Sequence, residues 1–156
     1  MYVDQDTGVM IHDQDNIIAM RKAGKLAAEV LDYITPFVKP GVTTEILDKK
    51  CYDFILKNKA IPAPLNYKGF PKSICTSINH VICHGIPGEK VLLNGDILNI
   101  DITVILDGWH GDTSRMFWVG KPSIKAIKLI ETTFEAMWRG IKVVKPGATL
   151  GDIGFA

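Results

Sequence analysis

Apolar residues recur at helical spacing in two stretches near the start of the chain. Between residues 16 and 37 they stand three or four positions apart, at Ile17, Met20, Ala23, Ala27, Val30, Leu31 and Ile34. This spacing predicts an amphipathic helix, which Pro36 and Lys39-Pro40-Gly41 end. Thr43 or Thr44 then offers an N-cap for a second helix. Its predicted buried face carries Ile46, Leu47, Phe54 and Ile55.

The helical pattern is interrupted and then returns. Three prolines between residues 60 and 72 predict an irregular loop, and from Ile74 onward the pattern favours strands. Helical spacing resumes after Gly120, where Ser123 is the predicted N-cap of a third helix. The predicted buried stripe of that helix consists of Ile124, Ile127, Ile130, Phe134, Met137, Trp138 and Ile141.

A short sequence at the end of the first predicted helix occurs again at the end of the third. Val38-Lys39-Pro40-Gly41-Val42-Thr43 is matched 106 residues later by Val144-Lys145-Pro146-Gly147-Ala148-Thr149. Pro-Gly often ends helices, so a chance echo is the alternative, but the shared Val-Lys and Thr favour an internal duplication. We expect one domain over residues 1–156, with a first repeat at about 14–122 and the start of a second at about 123–156. On this interpretation the chain is truncated.

Residues 97–106 show the two-residue alternation of a β-strand. Asp107-Gly108 follows, which is a strong signal for a two-residue hairpin turn. With that turn, Thr103 faces Asp112 across the hairpin. Asp101 and Asp112 then lie on one face as diagonal neighbours, with Cα atoms about 7–8 Å apart. Two carboxylates at that separation can converge on a cation between them.

The alternative is an amphipathic hairpin whose polar face meets water. Apolar residues on the same face as the two acids argue against it, namely Ile97, Ile105, Met116 and Trp118. If that face is covered, each ionised carboxylate is costly unless it is neutralised. Arg115 has the wrong parity to reach the acids, so one or two metal ions are the simplest neutraliser. Oxygen ligands favour a Mg-, Mn-, Fe- or Co-like ion over a thiolate zinc site.

Two histidines are further candidates for chemistry. His84 follows an apolar, strand-like run and precedes a Gly/Pro turn, and a loop at a strand end is where an imidazole can face a cleft. A hydrogen-bonded structural histidine is the alternative for this residue. His110 shares the face of the two acids, where it could support the groups that hold a metal ion. A polar residue near the hairpin turn is the favoured interpretation.

Composition narrows the classes of function. With 18 Lys and Arg against 17 Asp and Glu, the formal net charge is +1, so no basic footprint for nucleic acid or an anionic membrane is expected. No apolar run approaches the roughly 20 residues of a membrane helix. Cys51, Cys75 and Cys83 form neither a C-x-x-C pattern nor a disulfide framework. They indicate free thiols in a reducing cytoplasm.

Four segments together resemble a known family. They are Asn66-Tyr-Lys-Gly-Phe-Pro-Lys-Ser-Ile-Cys75, Ser77-Ile-Asn-His-Val-Ile-Cys-His-Gly-Ile-Pro87, Gly95-Asp-Ile-Leu-Asn-Ile-Asp101 and His110-Gly-Asp-Thr-Ser114. In this order they resemble type I methionine aminopeptidase of the bacterial or organellar kind, in register from about residue 16 to residue 156. The resemblance implies the pita-bread α/β fold, whose two related halves enclose a dinuclear metal centre. This chain would supply one half and the start of the second.

The resemblance also implies roles at the metal centre. Asp101 would bind one metal ion and Asp112 would bridge two, the ions being divalent and of the Co, Mn, Fe, Zn or Ni class. His84 would bind the substrate near the scissile amide and stabilise the transition state. Asn79 and Val81 match a loop that holds a structural monovalent cation in some members. The family uses five metal ligands, and the last three are expected beyond the end of this sequence.

Three residues match the wall of the family's pocket for the methionine side chain, namely Tyr67, Phe70 and Cys75. Family members often have Tyr at the position of Phe70 and Cys at that of Pro64, and both departures leave the pocket apolar. An apolar pocket suits an unbranched thioether side chain.

The implied function is metal-dependent hydrolysis that removes the N-terminal methionine from nascent proteins. The implied partners are nascent polypeptides at the ribosome, for a cytoplasmic and usually monomeric enzyme with no nucleic-acid or membrane partner. Two alternatives remain open at this point. One is a catalytically incompetent remnant that acts as a binding or regulatory half-protein. The other is a related X-Pro peptidase or prolidase, which Cys83-His84-Gly85-Ile86-Pro87 disfavours.

Overall fold

Residues 2–156 are described by the computed structural model, and the chain divides into two units at Lys121. The first unit contains strands β1 (Tyr2–Val3) and β2 (Met10–Ile11), helices α1 (Gln14–Ile34) and α2 (Thr44–Lys57), and strands β3 (Ile61–Pro62), β4 (Cys75–Ile78), β5 (Ile97–Leu106) and β6 (Trp109–Trp118). Two 3₁₀ turns lie at Thr35–Phe37 and Tyr67–Gly69. The second unit contains helices α3 (Ile124–Lys142) and α4 (Leu150–Phe155).

The first two helices form where the sequence predicts them, with corrections to their buried faces. On α1 the buried residues are Ala23, Leu26, Ala27, Val30, Leu31 and Ile34. Ile17 and Met20 are exposed, so the buried stripe begins at Ala23. Thr43 caps α2 by accepting from the N–H of Ile46 at 3.3 Å. Ile46 is exposed, because it points away from the buried face of α2. That face consists of Thr44, Leu47, Asp48, Cys51 and Ile55.

The sheet is built around β5. Strand β6 pairs with one edge of β5 along its whole length, in the predicted register that sets Thr103 opposite Asp112. Asp107 and Gly108 both have positive φ, as a two-residue hairpin turn of type I′ requires. Strands β3 and β4 share the other edge of β5 and leave an opening between them near Thr103.

Two stretches differ from the predictions along this edge. The predicted irregular loop over 60–72 contains β3 and the second 3₁₀ turn, and is otherwise irregular. The strand-like run after Ile74 ends at Ile78 instead of continuing to His84, and Ile82 is 95% exposed. The last residue of β4, Ile78, pairs with Leu98 of β5. The apolar residues that follow Ile78 have no partner strand among the described residues, so they do not continue β4.

The two faces of the sheet have different environments. Alternate residues of β5 are buried in a core that includes residues of both α1 and α2, namely Leu98, Ile100, Ile102 and Val104. The opposite face carries Asp101 and Thr103, which are half-buried. Helices thus cover one face of the sheet, and the polar side chains that could bind a ligand lie on the other.

The second unit corrects the prediction of a buried stripe on α3. Ser123 caps the helix by accepting from the N–H of Ala126 at 3.2 Å, as expected. Ile124 is 76% exposed and Phe134 59% exposed, however, and most of the predicted stripe faces solvent within this unit. The six-residue α4 is too short to cover a helix of 19 residues.

The repeated sequence adopts the same backbone geometry at both sites. Gly41 has φ of 89° and Gly147 has φ of 88°. Thr43 and Thr149 then cap α2 and α4 through their side-chain oxygens. This agreement is what a duplicated unit would show, and the duplication and its boundaries stay predictions. Among the described residues, no helix has both the length and the apolar character that a membrane crossing requires.

Candidate active site

Two carboxylates form the floor of a cavity of about 660 Å³ on the open face of the sheet. Asp101 lies on β5 and Asp112 on β6, two pairs apart in the hairpin register, so they are the predicted diagonal neighbours on one face. Asp101 is half-buried and Asp112 is exposed. Arg115 lies on the other face, where its Nη2 donates to Asp32 Oδ1 at 2.8 Å. The parity argument that excluded Arg115 as their neutraliser is therefore confirmed.

The electrostatics of this floor favour a bound cation. Burial raises the pKa of the Asp101 carboxyl above its ordinary value, and the nearby Asp112 carboxylate raises it further. The His84 imidazole and the N–H of Ile102 oppose this rise. A positive charge between the two carboxylates would relieve both the repulsion and the cost of burial.

One wall of the cavity comes from residues 63–74, which we call the wall loop. It leaves the sheet through the opening between β3 and β4, where the Ala63 N–H donates to the Thr103 carbonyl at 2.9 Å. Its cavity-lining residues are Ala63, Pro64, Tyr67, Lys68, Gly69, Phe70 and Pro71. The chain rejoins the sheet at Cys75, directly opposite Asp101.

The predicted pocket residues lie together around this cavity. Tyr67, Phe70 and Cys75 all line it, beside both acids. Burial, assisted by the Asp101 carboxylate, raises the pKa of the Cys75 thiol to about 11. Cys75 is therefore an uncharged, weakly polar lining group at neutral pH, which suits an apolar ligand. Their role in binding methionine stays a prediction.

His84 reaches the cavity from residues 83–90, which we call the histidine loop. His84 has a φ of 55°, which is a strained backbone conformation for a residue with a side chain. The next residue holds the loop against β4, since the Thr76 N–H donates to the Gly85 carbonyl at 2.8 Å and the Gly85 N–H to Ser77 Oγ at 3.2 Å. A Cβ on Gly85 would lie 2.1 Å from the Thr76 carbonyl oxygen. Glycine is thus required for this close approach.

The two residues matched to a monovalent cation loop lie just after β4. The Asn79 side chain donates to Asp96 Oδ1 at 2.8 Å and accepts from the Ile97 N–H at 3.0 Å. The Val81 N–H donates to the Ile78 carbonyl at 3.1 Å. Neither residue lines the cavity. Asn79 closes a turn in this structure, and cation binding there stays a prediction.

Some residues of the site were missed or undervalued from sequence. His110 lines the cavity beside Asp112, so it is more than a polar residue near the turn. Ile86 and Thr103 also line it. Asp48 is buried on α2 and was not singled out. The sequence signal for Asp48 is its spacing, since it stands three residues before Cys51 and seven before Ile55 on one helix face.

The acids fit a divalent metal ion as part of a ligand set. Carboxylate oxygens are the ligands that hard divalent cations prefer, and Asp101 and Asp112 present them to one cavity. Within residues 2–156, no three or more His, Cys, Asp or Glu side chains are grouped so that they could hold an ion. A bound ion would complete its coordination with water or with further groups.

Comparison with known proteins identifies the family. The model of metallopeptidase family M24 matches residues 18–156. A methionine aminopeptidase of Rickettsia prowazekii is 66% identical over 148 residues, which is 95% of this chain and 57% of that protein. A methionine aminopeptidase of Escherichia coli K12 is 53% identical over 150 residues, again covering 57% of the relative. The chain thus spans little more than half the length of these relatives.

Solved structures agree with the fold prediction. The crystal structure of the Rickettsia prowazekii methionine aminopeptidase matches with a TM-score of 0.92 and 65% identity, over 94% of this chain and 59% of that one. The prolidase from Pyrococcus furiosus matches with a TM-score of 0.78 at 22% identity, which shows the fold alone, over 92% and 41% of the two chains. The pita-bread fold is confirmed by these likenesses. The family match, the two acids at the cavity floor and the shared fold together show that this chain belongs to metallopeptidase family M24.

Proposed function

We propose that this chain carries the first part of the active site of a methionine aminopeptidase, which hydrolyses the peptide bond after an N-terminal methionine. One observation supports this most directly. Two carboxylates, an imidazole and an apolar wall line a single cavity. A cavity of this kind can accept the amino terminus of a peptide at its floor and an apolar side chain at its wall.

The floor would hold the metal ions. Asp101 and Asp112 would bind divalent ions of the Co, Mn, Fe, Zn or Ni class through their oxygens. Such ions, when bound, polarise carbonyl groups and lower the pKa of water. The β5–β6 hairpin contributes the negative charge that attracts them, because it presents both carboxylates to one cavity.

The remaining groups would bind and orient the substrate. His84 would hydrogen-bond the scissile amide and stabilise the charge that develops there, an effect that typically accounts for a few kcal/mol. Tyr67, Phe70 and Cys75 would contact the methionine side chain and exclude water from it. Because the Cys75 thiol has a pKa of about 11, it stays uncharged and adds no competing ionic interaction.

The relatives favour methionine over X-Pro substrates. Those at 53–66% identity are named methionine aminopeptidases, whereas the prolidase at 22% shares the fold only. Nothing in the relatives' names supports a non-catalytic half-protein. The proposed partners are nascent polypeptides that begin with methionine. The enzyme would be a monomer that binds them at the ribosome, in the cytoplasm. A monovalent cation at Asn79 and Val81 belongs to the same proposal.

Replacing His84 by Ala tests the assignment of the imidazole. With protein expressed from the complete coding sequence and supplied with Co²⁺ or Mn²⁺, release of methionine from Met-Ala-Ser should fall about 10²- to 10³-fold in kcat, as for loss of one transition-state donor. Asp101→Ala should abolish turnover. His80→Ala is the matched control, because His80 is exposed and does not line the cavity. Unchanged turnover in both site variants would reject the proposal.

Replacing Gly85 by Ala should impair catalysis without removing a reactive group. The added Cβ would meet the Thr76 carbonyl at 2.1 Å, so the histidine loop must move away from β4. Displacement of a catalytic group by about 1 Å can lower the rate about a hundredfold. Steady-state kinetics on Met-Ala-Ser measures the loss. At Gly88 a Cβ meets nothing within 4 Å, so Gly88→Ala should retain activity, and equal losses in both variants would contradict the explanation.

A further inference from the structure

The first turns of α2 bind the wall loop through two acidic side chains. Asp48 Oδ1 accepts from the backbone N–H groups of Ser73 at 2.8 Å and Ile74 at 3.2 Å. One turn earlier, Glu45 Oε1 accepts from Lys72 Nζ at 2.6 Å. Three consecutive residues at the end of the wall loop are therefore attached to one short stretch of helix.

The same stretch of helix binds the histidine loop. Thr44 Oγ1 accepts from the Gly88 N–H at 2.9 Å and donates to the Gly88 carbonyl at 3.0 Å. The Glu45 N–H donates to the same carbonyl at 2.9 Å, and the Thr44 N–H donates to the Lys90 carbonyl at 3.1 Å. Thr44 and Asp48 are adjacent on the helix surface because they are four positions apart. Two loops that are separate in sequence thus share one rigid support.

Asp48 is a buried carboxylate whose oxygen accepts from two backbone N–H groups. Its side chain is only 7% exposed, and burial raises the pKa of its carboxyl despite the two N–H donors. An apolar residue here would leave the buried N–H groups of Ser73 and Ile74 without an acceptor, so the carboxylate contributes to stability as well. What the carboxylate provides is direction, since one oxygen takes two successive backbone N–H groups and so fixes the course of the chain into β4.

We propose that Asp48 and Thr44 are positioning residues that hold the wall loop and the histidine loop in place around the two carboxylates. Asp48 acts on the apolar wall through Ser73 and Ile74. Thr44 acts on His84 through Gly88. This inference rests on the proposed function and extends it, because neither residue lines the cavity.

Substitutions at Asp48 and Thr44 should change KM and kcat in different proportions. Asp48→Ala loosens the wall that contacts methionine, so KM for Met-Ala-Ser should rise about ten- to a hundredfold, which is the scale of a hydrogen bond to a charged group, with a smaller change in kcat. Thr44→Val keeps the shape and loses the hydroxyl, so kcat should fall about tenfold with a smaller change in KM. Asp48→Asn keeps one acceptor oxygen and should give a smaller rise in KM. This variant tests the inference if Asp48→Ala does not fold.

Two control variants on the same helix separate positioning from general destabilisation. Ile55→Val removes a methyl group from the core and weakens the fold modestly, but it makes none of these hydrogen bonds. Asp53→Asn removes an exposed acid that pairs only with Lys49 at 2.8 Å in the described chain. Both controls should leave KM and kcat within about twofold. The same KM rise in Ile55→Val as in Asp48→Asn would overturn the inference.

Amide hydrogen exchange tests the inference without any turnover. In Asp48→Ala, or Asp48→Asn if needed, exchange should accelerate about tenfold or more at Ser73, Ile74 and neighbouring wall-loop amides, and in Thr44→Val at Gly88, while the core of β5 stays protected. Uniform acceleration across the chain, or none at these amides, would reject positioning. If the wild-type protein cleaves no methionyl peptide, the proposed function fails, and the exchange result still decides whether the helix holds both loops.

Discussion

Asp112→Asn is expected to lower kcat/KM for Met-Ala-Ser by about a thousandfold or more. The substitution keeps the side-chain volume but removes one of the two negative charges at the cavity floor. Metal-supplied stabilisation of a transition state amounts to several kcal/mol, and each loss of about 1.4 kcal/mol is tenfold in rate. Steady-state kinetics on protein from the complete coding sequence measures the effect. Calorimetric titration with Mn²⁺ should show weakened binding in parallel.

Asp107→Asn is the matched control for that experiment. It removes one acid from the same hairpin, at a turn position where φ is 50° and Asn is well tolerated. Asp107 does not line the cavity, so activity and Mn²⁺ affinity should stay close to those of the unmodified protein. If Asp107→Asn and Asp112→Asn weaken metal binding equally, the effect comes from net charge and the assignment of Asp112 as a ligand is wrong.

Gly111→Ala should destabilise the fold strongly although it adds only one methyl group. A Cβ at Gly111 would lie 2.1 Å from the Ala23 carbonyl oxygen and 2.2 Å from its carbon, both backbone atoms of α1. Neither atom can move without shifting the helix. Overpacking of this kind costs up to about 3 kcal/mol. Urea unfolding followed by circular dichroism should show a correspondingly lower midpoint.

Gly24→Ala provides the opposite expectation on the facing helix. At Gly24 a Cβ meets nothing within 4 Å, and the residue lies within α1. Replacing a helical Gly by Ala should raise the unfolding free energy by about 0.5–1 kcal/mol. A Gly111→Ala midpoint that does not fall below that of the unmodified protein would show that α1 and β6 tolerate separation, contrary to their close packing at Ala23.

The hairpin and its two acids could be predicted because their geometry is local. A two-residue turn at Asp107-Gly108 fixes every facing pair between β5 and β6, so the side shared by Asp101 and Asp112 follows from counting. The structure has this register throughout. The helix cap at Ser123 was predictable for the same reason, since a cap and its N–H donor lie within three residues. For α2 the sequence narrowed the cap to Thr43 or Thr44, and the structure has Thr43.

The loops and the buried faces could not be predicted in the same way. The contact between Asp48 and Ser73 spans 25 residues of sequence, and periodicity carries no information about such a distance. Burial also depends on what packs against a face, so an amphipathic α3 has the expected pattern while Phe134 remains exposed within its unit. Residue pattern predicts which side of an element is apolar, and only the tertiary arrangement decides whether that side is covered.

The opening between β3 and β4 bears on how the selectivity of such a site could change during evolution. The chain that leaves the sheet there is fastened at Ala63 and again at Ser73, whereas the segment between these points makes no ladder with β5. Surface segments held at both ends accept insertions at small entropic cost, about 0.6 kcal/mol for each doubling of length. Changes in residues 64–71 can therefore alter which side chains the cavity admits. The spacing of Asp101 and Asp112 would not change, because the register of β5 and β6 sets it.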